Sequence, residues 1–548
     1  MYRRILNRTL TSSLILIMVA VLLAACGQAA TPAPAPATEA PAPAVEPTAV
    51  PVAEETEAPE EPPTPVPVEE PFEVVMGIAA NTGQLHPNLT SLTTDWIVLE
   101  QIMDPLIILG PDGTFQPWLA TGWEVSGDGL TWTFKLREGV TFHNGEPFNA
   151  EAVKFTFDDA LSVEGSSQTT VINELAAVNV IDDYTVETVT ARTNPIWLSQ
   201  IAHLFMMPPA YTQEVGPEGF NEAPVGTGAF KFVEWVKDDH VTVEKNPDWW
   251  NGEPQVDLIT FRTIPEASGR VASLLAGEAD IIEVVPFDSI QQIEDREDLT
   301  VLDRGGAIAY IGLDTLKDVP TQDRRVRQAM NYAVDAESIA EFVLSGRAQA
   351  VPGGLWPVSP GWDPDLPIYN DKDKARELLA EAGYPDGFEI EFSIGQVQGM
   401  LQVKEVAQAV QAQLAEVGIT ANIVELETAA MFEAYANKEF EMYFFPWRSN
   451  PEAARHFNTL LHSTTRGYYY ANPEEMDPLI DDFMTEMDTE QRYEAGRVLN
   501  EFVHEDAPWI FMYVEQEAFG VNTGRVKWDI NPAAVDMFFG TELSPASN

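Results

Sequence analysis

The sequence predicts an α/β protein folded into two or more lobes. Three observations predict it. The stretch from Phe72 to Asn548 is too long to share one hydrophobic core. Segments of strict apolar–polar alternation recur along it. Amphipathic helical stripes stand between those segments, and each stripe ends at a glycine.

The elements follow in order. Trp132, Phe134 and Leu136 alternate with Thr133, Lys135 and Arg137, as in a half-buried strand. Lys374 to Ala382 reads as a helix stopped by Gly383. Phe388, Ile390, Phe392 and Ile394 alternate with Glu389, Glu391 and Ser393, a second strand. Between Val403 and Val417 the apolar residues fall at 403, 406, 407, 410, 414 and 417, one face of a helix. Gly418 ends that helix, and Ile419 to Leu426 reads as the next strand. Helices between strands point to α/β lobes. No internal repeat of fixed period is present.

Before this body come a leader and a tether. Arg3, Arg4 and Arg8 make a positive start without an acid, and Leu14 to Ala25 is an apolar run of about a dozen residues. That length suits a signal-peptide core and is short for a membrane span. The run ends in Leu23-Ala24-Ala25-Cys26, which looks like a lipobox. Residues 1–25 are therefore expected to be a cleaved signal peptide, and Cys26 to carry a lipid that anchors the protein outside the cytoplasmic membrane. Cys26 is the single cysteine of the chain, so disulfides, thiolate metal sites and cysteine nucleophiles are excluded from the body. Residues 27–71 hold 13 prolines and 9 glutamates without Lys or Arg. This composition cannot bury enough apolar surface to offset chain entropy, so 26–71 is expected to be a disordered, extended spacer.

The chain carries 86 acidic and 31 basic residues. Removing leader and tether still leaves about 49 net negative charges, so the acidity belongs to the folded surface. It argues against nucleic acid, whose phosphates need Lys and Arg, and against adsorption on anionic lipid. It suits a solvated surface in salty surroundings, or steering of cations. Catalytic signatures are missing: there is no phosphate loop, no Gly-x-Ser-x-Gly elbow, and no His-Glu-x-x-His among the seven histidines. His456 and His462 are six apart, which is no familiar ligand spacing, so neither metal nor cofactor is expected. Paired carboxylates of a glycosidase kind can hide among so many acids, and an exported hydrolase stays as the alternative reading.

A series of segments carries a more specific signal. The first runs Leu119-Ala-Thr-Gly-Trp123-Glu-Val-Ser126-Gly-Asp128-Gly129, continues through Trp132 and Phe134 to Gly139, and ends Phe142-His143-Asn-Gly145-Glu-Pro147-Phe148. Asp128-Gly129 and Asn144-Gly145 are turn signals within it, and His143 reads as a structural turn residue. Next come Pro224-Val-Gly226-Thr-Gly228-Ala-Phe230, Lys245-Asn-Pro247-Asp-Trp249-Trp250 and Leu275-Ala-Gly277-Glu-Ala-Asp280. Last come Asp323-Arg-Arg-Val326-Arg327-Gln-Ala329-Met-Asn-Tyr332-Ala333 and Glu377-Leu378-Leu-Ala-Glu-Ala-Gly383-Tyr384-Pro385. In number, order and spacing these resemble the family 5 extracellular solute-binding proteins, the oligopeptide, dipeptide and nickel-type receptors of ABC importers.

The resemblance implies a two-lobed periplasmic binding protein, type II and cluster C-like, with an extra domain inserted in the first lobe. It places lobe I at about 72–105, 224–310 and 515–548, the inserted domain at 106–223, and lobe II at 311–514. It implies a monomer that closes over a small or peptide-like solute and presents it to permease subunits, with no covalent step and membrane contact only through the lipid.

Site residues follow from the same resemblance. In peptide-binding members the tryptophan matching Trp447 is followed three residues later by an aspartate that pairs with the peptide's ammonium; here the position holds Asn450, with Arg448 two residues before it. Arg448 either faces the cleft and favours an anionic group or pairs with a surface acid. Glu427-Thr428-Ala429 stands where peptide receptors often place a pocket tryptophan, which brings Thr428 to the cleft. Leu85-His86-Pro87 replaces the usual Leu-Asp-Pro, so Leu85 and His86 are candidates, His86 alternatively as a loop residue. Phe511 and Tyr513 share one face of a strand by alternation, lining the pocket or packing in the core. An ordinary peptide held by its free amine is not the expected ligand.

Overall fold

The computed structural model describes residues 71–546 apart from 91, 111–113, 358, 396–401, 449–452, 466–471 and 531–539. The leader, Cys26, the tether to residue 70, and Asn450 lie outside the described residues.

The strands that matter for function are β1 (Glu73–Ile78), β2 (Leu258–Thr263), β3 (Ile281–Ile282), β4 (Leu299–Leu313), β5 (Glu389–Gly395), β6 (Thr420–Leu426), β7 (Met442–Arg448) and β8 (Trp509–Asn522). They form one sheet in the order β6-β5-β7-β4-β8-β3-β1-β2, which continues into strands His240–Lys245 and Phe230–Val236. β1 is parallel to β2 and β3. At the other end β5 is parallel to β6 and β7. The long antiparallel pair β4–β8 joins the two groups.

Two clusters of buried residues pack on this sheet. Val74, Met76, Val98, Phe230, Val243 and Phe261 pack around the β1 side. Ile311, Val326, Phe392, Val406, Val410 and Phe444 pack around the β5 side, and this second cluster runs on across β4 and β8 to Leu274, Ile282 and Leu299. A separate antiparallel sheet of four strands, Ala120–Val125, Thr131–Leu136, Thr185–Thr190 and Leu175–Asp182 in that spatial order, packs its own core of Phe134, Phe142, Phe148, Phe157 and Trp197.

Local sequence explains the elements. The hairpin of the small sheet turns at Gly129, φ +70°, and the Asp128 carboxylate accepts from Ser126 Oγ and the Leu130 N–H. The helical stripe at 403 to 414 is buried at Val403, Val406, Ala407, Val410 and Leu414 within helix Val403–Ala415, and Gly418 leaves it at φ +93°. The expected helix at Lys374 is Lys372–Glu381, and the strand expected from Ile419 starts at Thr420. One expectation fails. Phe511 and Tyr513 do not share a face: Tyr310 pairs with Phe511 but Ala309 pairs with Tyr513, so Met512 is an extra residue in β8. This bulge turns the strand and sends Phe511 and Tyr513 into different cores.

A buried carboxylate ties the small sheet to the first lobe. Asp104 accepts from Trp118 Nε1 (2.8 Å), Trp250 Nε1 (2.9 Å) and Thr227 Oγ1 (2.8 Å). Burial pushes its carboxyl above the usual range, and the indole bonds pull it back down. Arg137 lies 4.3 Å over the Trp250 ring and donates to the Trp118 carbonyl. His143 has the structural role expected: its Nε2 bonds the Gly228 carbonyl at 2.9 Å, and burial lowers its pKa to about 4. Gly228 is required because a Cβ there would strike the backbone of α1 (Thr93–Ile102) at Gln101. Replacing Asp104→Ala strands two indole donors and a hydroxyl in the interior, so the unfolding free energy in urea should drop by about 2–4 kcal/mol. An unchanged midpoint would show that the indoles, not the carboxylate, hold this joint.

Candidate functional site

The strand directions locate a groove. Along β4, Val301 lies opposite Gly520, which is the partner of Ile282 at the carboxyl end of β3. Further along, Ala307 lies opposite Arg448 at the carboxyl end of β7. β1, β2 and β3 therefore run toward the second lobe, while β5, β6 and β7 run toward the first. Their carboxyl edges face each other across the middle of the β4–β8 ribbon. In open α/β sheets, ligands bind outside the carboxyl ends of parallel strands; here two such edges share one space. The ribbon between them spans six residues, or roughly 20 Å.

That ribbon is built to bend. The β4–β8 register shifts between Gly305 and Ile308, and a Cβ on Gly306 would run into the Glu515 carbonyl. Arg347 braces it by an ion pair to Asp303 at 2.6 Å and another to Glu294 at 3.2 Å.

The predicted residues fall at several depths. Trp447 and Arg448 end β7 opposite Ile308 and Ala307, beyond the last residues of β5 and β6 and beside the bend. Thr428 begins helix Thr428–Asn437 just after the carboxyl end of β6. Leu85 is fully buried in the first-lobe core. His86 is also fully buried: Nδ1 accepts from the Asn88 N–H at 3.3 Å, Nε2 stands 3.8 Å from Asp159, and the ring meets Phe220 edge-on. Burial lowers its pKa, against the opposing pull of Asp159. Tyr513 is buried among second-lobe residues, and Phe511 stacks toward Tyr369 and His504.

Other residues at the groove were not found from sequence. Beside α2 (Trp197–Ile201), Ile196 is buried in a second-lobe cluster with Tyr310, Leu355, Phe457 and Trp509. His456, on α3 (Ala453–Leu461), sits among Tyr310, Trp356, Phe457 and Trp509 at ring distances of 5.6–6.4 Å. Tyr310 Oη and Trp356 Nε1 are buried without a hydrogen bond among the described residues. After α2, the His203 ring lies 4.9 Å from that of Trp96 on α1. Burial lowers His203 to about 4 and His456 to about 3. No cluster of His, Cys, Asp and Glu that could hold a metal ion occurs among the described residues.

Two α/β lobes on a bendable ribbon, with strand ends facing across a polar and aromatic gap, define a two-lobed solute-binding protein. Residues 114–468 match the model for the bacterial extracellular solute-binding proteins, family 5, middle region. Heme-binding protein A of Haemophilus influenzae is 29% identical over 480 residues, covering 81% of this chain and 87% of that one. Glutathione-binding protein GsiB of Pectobacterium atrosepticum is 30% identical over 417 residues, covering 73% and 80%. Among solved structures, HbpA2 from Haemophilus parasuis is similar at TM-score 0.76 and 28% identity, covering 86% of this chain and 99% of that one. The periplasmic binding protein DppA from Helicobacter pylori, in complex with peptide STSA, is similar at TM-score 0.72 and 25% identity, covering 87% and 99%. The chain belongs to the bacterial extracellular solute-binding proteins, family 5. It is a binding protein and not an enzyme, so the hydrolase reading falls.

The buried histidines make a pH prediction. His143, His203 and His456 stay neutral in the fold to about 4, 4 and 3, below the ordinary 6.5. Below pH 6.5 the unfolded chain therefore binds more protons than the folded one, and stability falls as pH drops toward those values; above 6.5 they contribute no slope. In urea titrations between pH 6.5 and 5, His203→Gln should lose stability less steeply than the wild type, by up to about 1.4 kcal/mol per pH unit. Parallel profiles would mean that His203 takes up its proton normally in the fold.

Proposed function

We propose that this protein captures a polar or peptide-like solute in the groove between its lobes and passes it to the permease of an ABC importer. The observation that carries this reading is the pair of parallel-strand carboxyl edges facing each other across a ribbon that can bend. Closing the ribbon buries the solute, and hinge closure around ligands is a general device of such bodies. We assign contact with the solute to Trp447, Arg448, Asn450 and Thr428, and a supporting role to Leu85, His86, Phe511 and Tyr513. We assign lobe I to 72–105, 224–310 and 515–548, the inserted domain to 106–223, and lobe II to 311–514. The separate core around Phe134 and Phe157 supports the inserted domain. Cys26 carries the lipid anchor, the Pro-rich stretch to residue 71 lifts the monomeric body off the membrane, and the protein works in the periplasm or at the cell surface.

The ligand reading follows from Asn450. An amide accepts a hydrogen bond from an ammonium but lacks the charge that strengthens it. We therefore assign a modified or acidic peptide, an oligosaccharide or another polar metabolite, not an ordinary peptide held by its free amine. The relatives are named for binding heme and glutathione, both of which carry carboxylates, and a neighbour holds a short peptide.

A thermal-shift screen tests this, because a ligand that binds only the folded state raises the melting temperature. Binding should saturate without release of any altered product. Trp447→Ala and Arg448→Ala should each weaken the stabilising solute by about tenfold, and unchanged affinity in both would remove this site. Strong stabilisation by unmodified di- to pentapeptides, abolished by N-acetylation, would overturn the ligand class.

A further inference from the structure

Among the described residues, Arg455 is a cation without a protein partner. It lies on α3 between two buried residues, Ala454 and His456, and is itself mostly buried. Burial lowers its pKa, and no carboxylate acts against that. Among the described residues it has neither a hydrogen bond nor an ion pair. This happens in a chain with 86 acidic and 31 basic residues, where an acid is seldom far away. Two other buried guanidiniums, Arg270 and Arg327, are well served. Arg270 donates to the carbonyls of Glu283, Ile264, Pro265 and Val284. Arg327 donates to the Asp506 carboxylate at 2.5 Å and to carbonyls at 321, 322, 506 and 507. A charge drawn largely out of water without a partner carries a desolvation cost.

Two more unserved groups stand beside it. His203 lies close enough for the Arg455 charge to disfavour a proton on its ring, and it has no hydrogen bond among the described residues. Its ring rests on Trp96, whose Nε1 is buried and equally without an acceptor. Trp96 comes from the first lobe, His203 from the segment after α2, and Arg455 from the second lobe. Ile196, buried in the cluster that includes Ala454 and Phe457, brings these segments together. A guanidinium fork, an imidazole and an indole N–H, all without acceptors among the described residues, suit a ligand oxygen that bears negative charge.

We propose that Arg455, with His203 and Trp96, forms a subsite of the closed groove that takes a carboxylate of the transported solute. The assignment rests on the solute-binding reading above and narrows it to anionic solutes. One full positive charge beside a neutral imidazole matches a carboxylate better than a phosphate dianion. The groups come from both sides of the groove, so the subsite is complete only when the lobes are together, and a bound carboxylate holds them there.

The test has two arms on the full mature chain. In the first, ligand-free wild type and Arg455→Met are melted side by side. Methionine keeps the packing of the stem and removes the charge, so the variant should melt at the wild-type temperature or above it. A drop of several degrees would show that Arg455 serves the fold, and would overturn the proposal. In the second, affinities are measured for matched acid and ester pairs: glutathione and its diethyl ester, N-acetyl-trialanine and its methyl ester, heme and its dimethyl ester. The wild type should prefer the acids by about tenfold, and Arg455→Met should bring each pair within about twofold while leaving ester binding unchanged. Equal binding of acid and ester by the wild type, or a preference that survives in Arg455→Met, overturns the subsite. If no probe stabilises the wild type, the peptide-like reading of the solute fails instead, and the melting arm still decides whether Arg455 is a structural charge.

Discussion

The constraint on which the molecule depends is that two antiparallel strands alone carry the sheet from one lobe to the other. β4 and β8 must keep their hydrogen bonds to one another along their whole length, and Leu299 and Val301 at one end of β4 share a buried cluster with Ile311 and Leu313 at the other. Within a lobe, flanking strands on both sides stiffen them. Between Val301 and Ala307 that support is missing on the β4 side, and the register irregularity at Gly305–Ile308 falls in this stretch. A bulge bends the strand and sharpens its local twist, so the sheet turns where it passes from one lobe to the other. The groove is thus a consequence of the sheet's construction. Parallel strands end where the ribbon is bare, and their carboxyl edges face each other across the groove.

The small sheet packs a core of its own, and its attachment to the first lobe is polar. Asp104 stands where the chain leaves the first lobe and gathers donors from Trp118, Thr227 and Trp250, which come from three later passes of the chain. A carboxylate in such a place fixes orientation because its lone pairs must each find a donor. His143 adds a bond to the Gly228 carbonyl, and glycine there lets α1 approach. The joint holds α2 and its neighbours at a set angle, so that Ile196 reaches the second lobe and His203 reaches Trp96.

Much of this was legible in the sequence, and the reason is local. The Asp128-Gly129 turn, the stripe from Val403 to Leu414 and the stops at Gly383 and Gly418 are set by residues within a few positions of each other, and all are found as expected. The motif glycine at 228 and the tryptophan pair at 249 and 250 were visible as a pattern, though their common purpose around Asp104 was not. What sequence could not give is long-range. The Met512 bulge depends on how β8 meets β4, so simple alternation misassigned Phe511 and Tyr513 to one face. Trp96, His203 and Arg455 are far apart in the chain, and each alone looks ordinary. The one signal in the sequence that bears on Arg455 is the scarcity of cations in so acidic a chain, and scarcity does not say which cation lacks an acid.

An acidic body that receives an acidic solute raises an electrostatic question, and screening answers it. About 49 net negative charges on the folded part oppose the approach of an anion at low salt. At 0.15 M ionic strength the field of exposed charges fades over about 8 Å, and faster in saltier surroundings. Inside the closing groove the balance reverses, because a half-buried guanidinium is screened far less than surface carboxylates. Long-range repulsion then slows encounter modestly, while the short-range contact governs how long the solute stays. The same contact drives closure. A ligand shifts a two-state equilibrium only through the difference in its affinity for the two states. A carboxylate that meets Trp96 and His203 from one side and Arg455 from the other gains its full set of donors only in the closed form. In the proposed subsite, the Arg455 charge is therefore what makes closure depend on cargo.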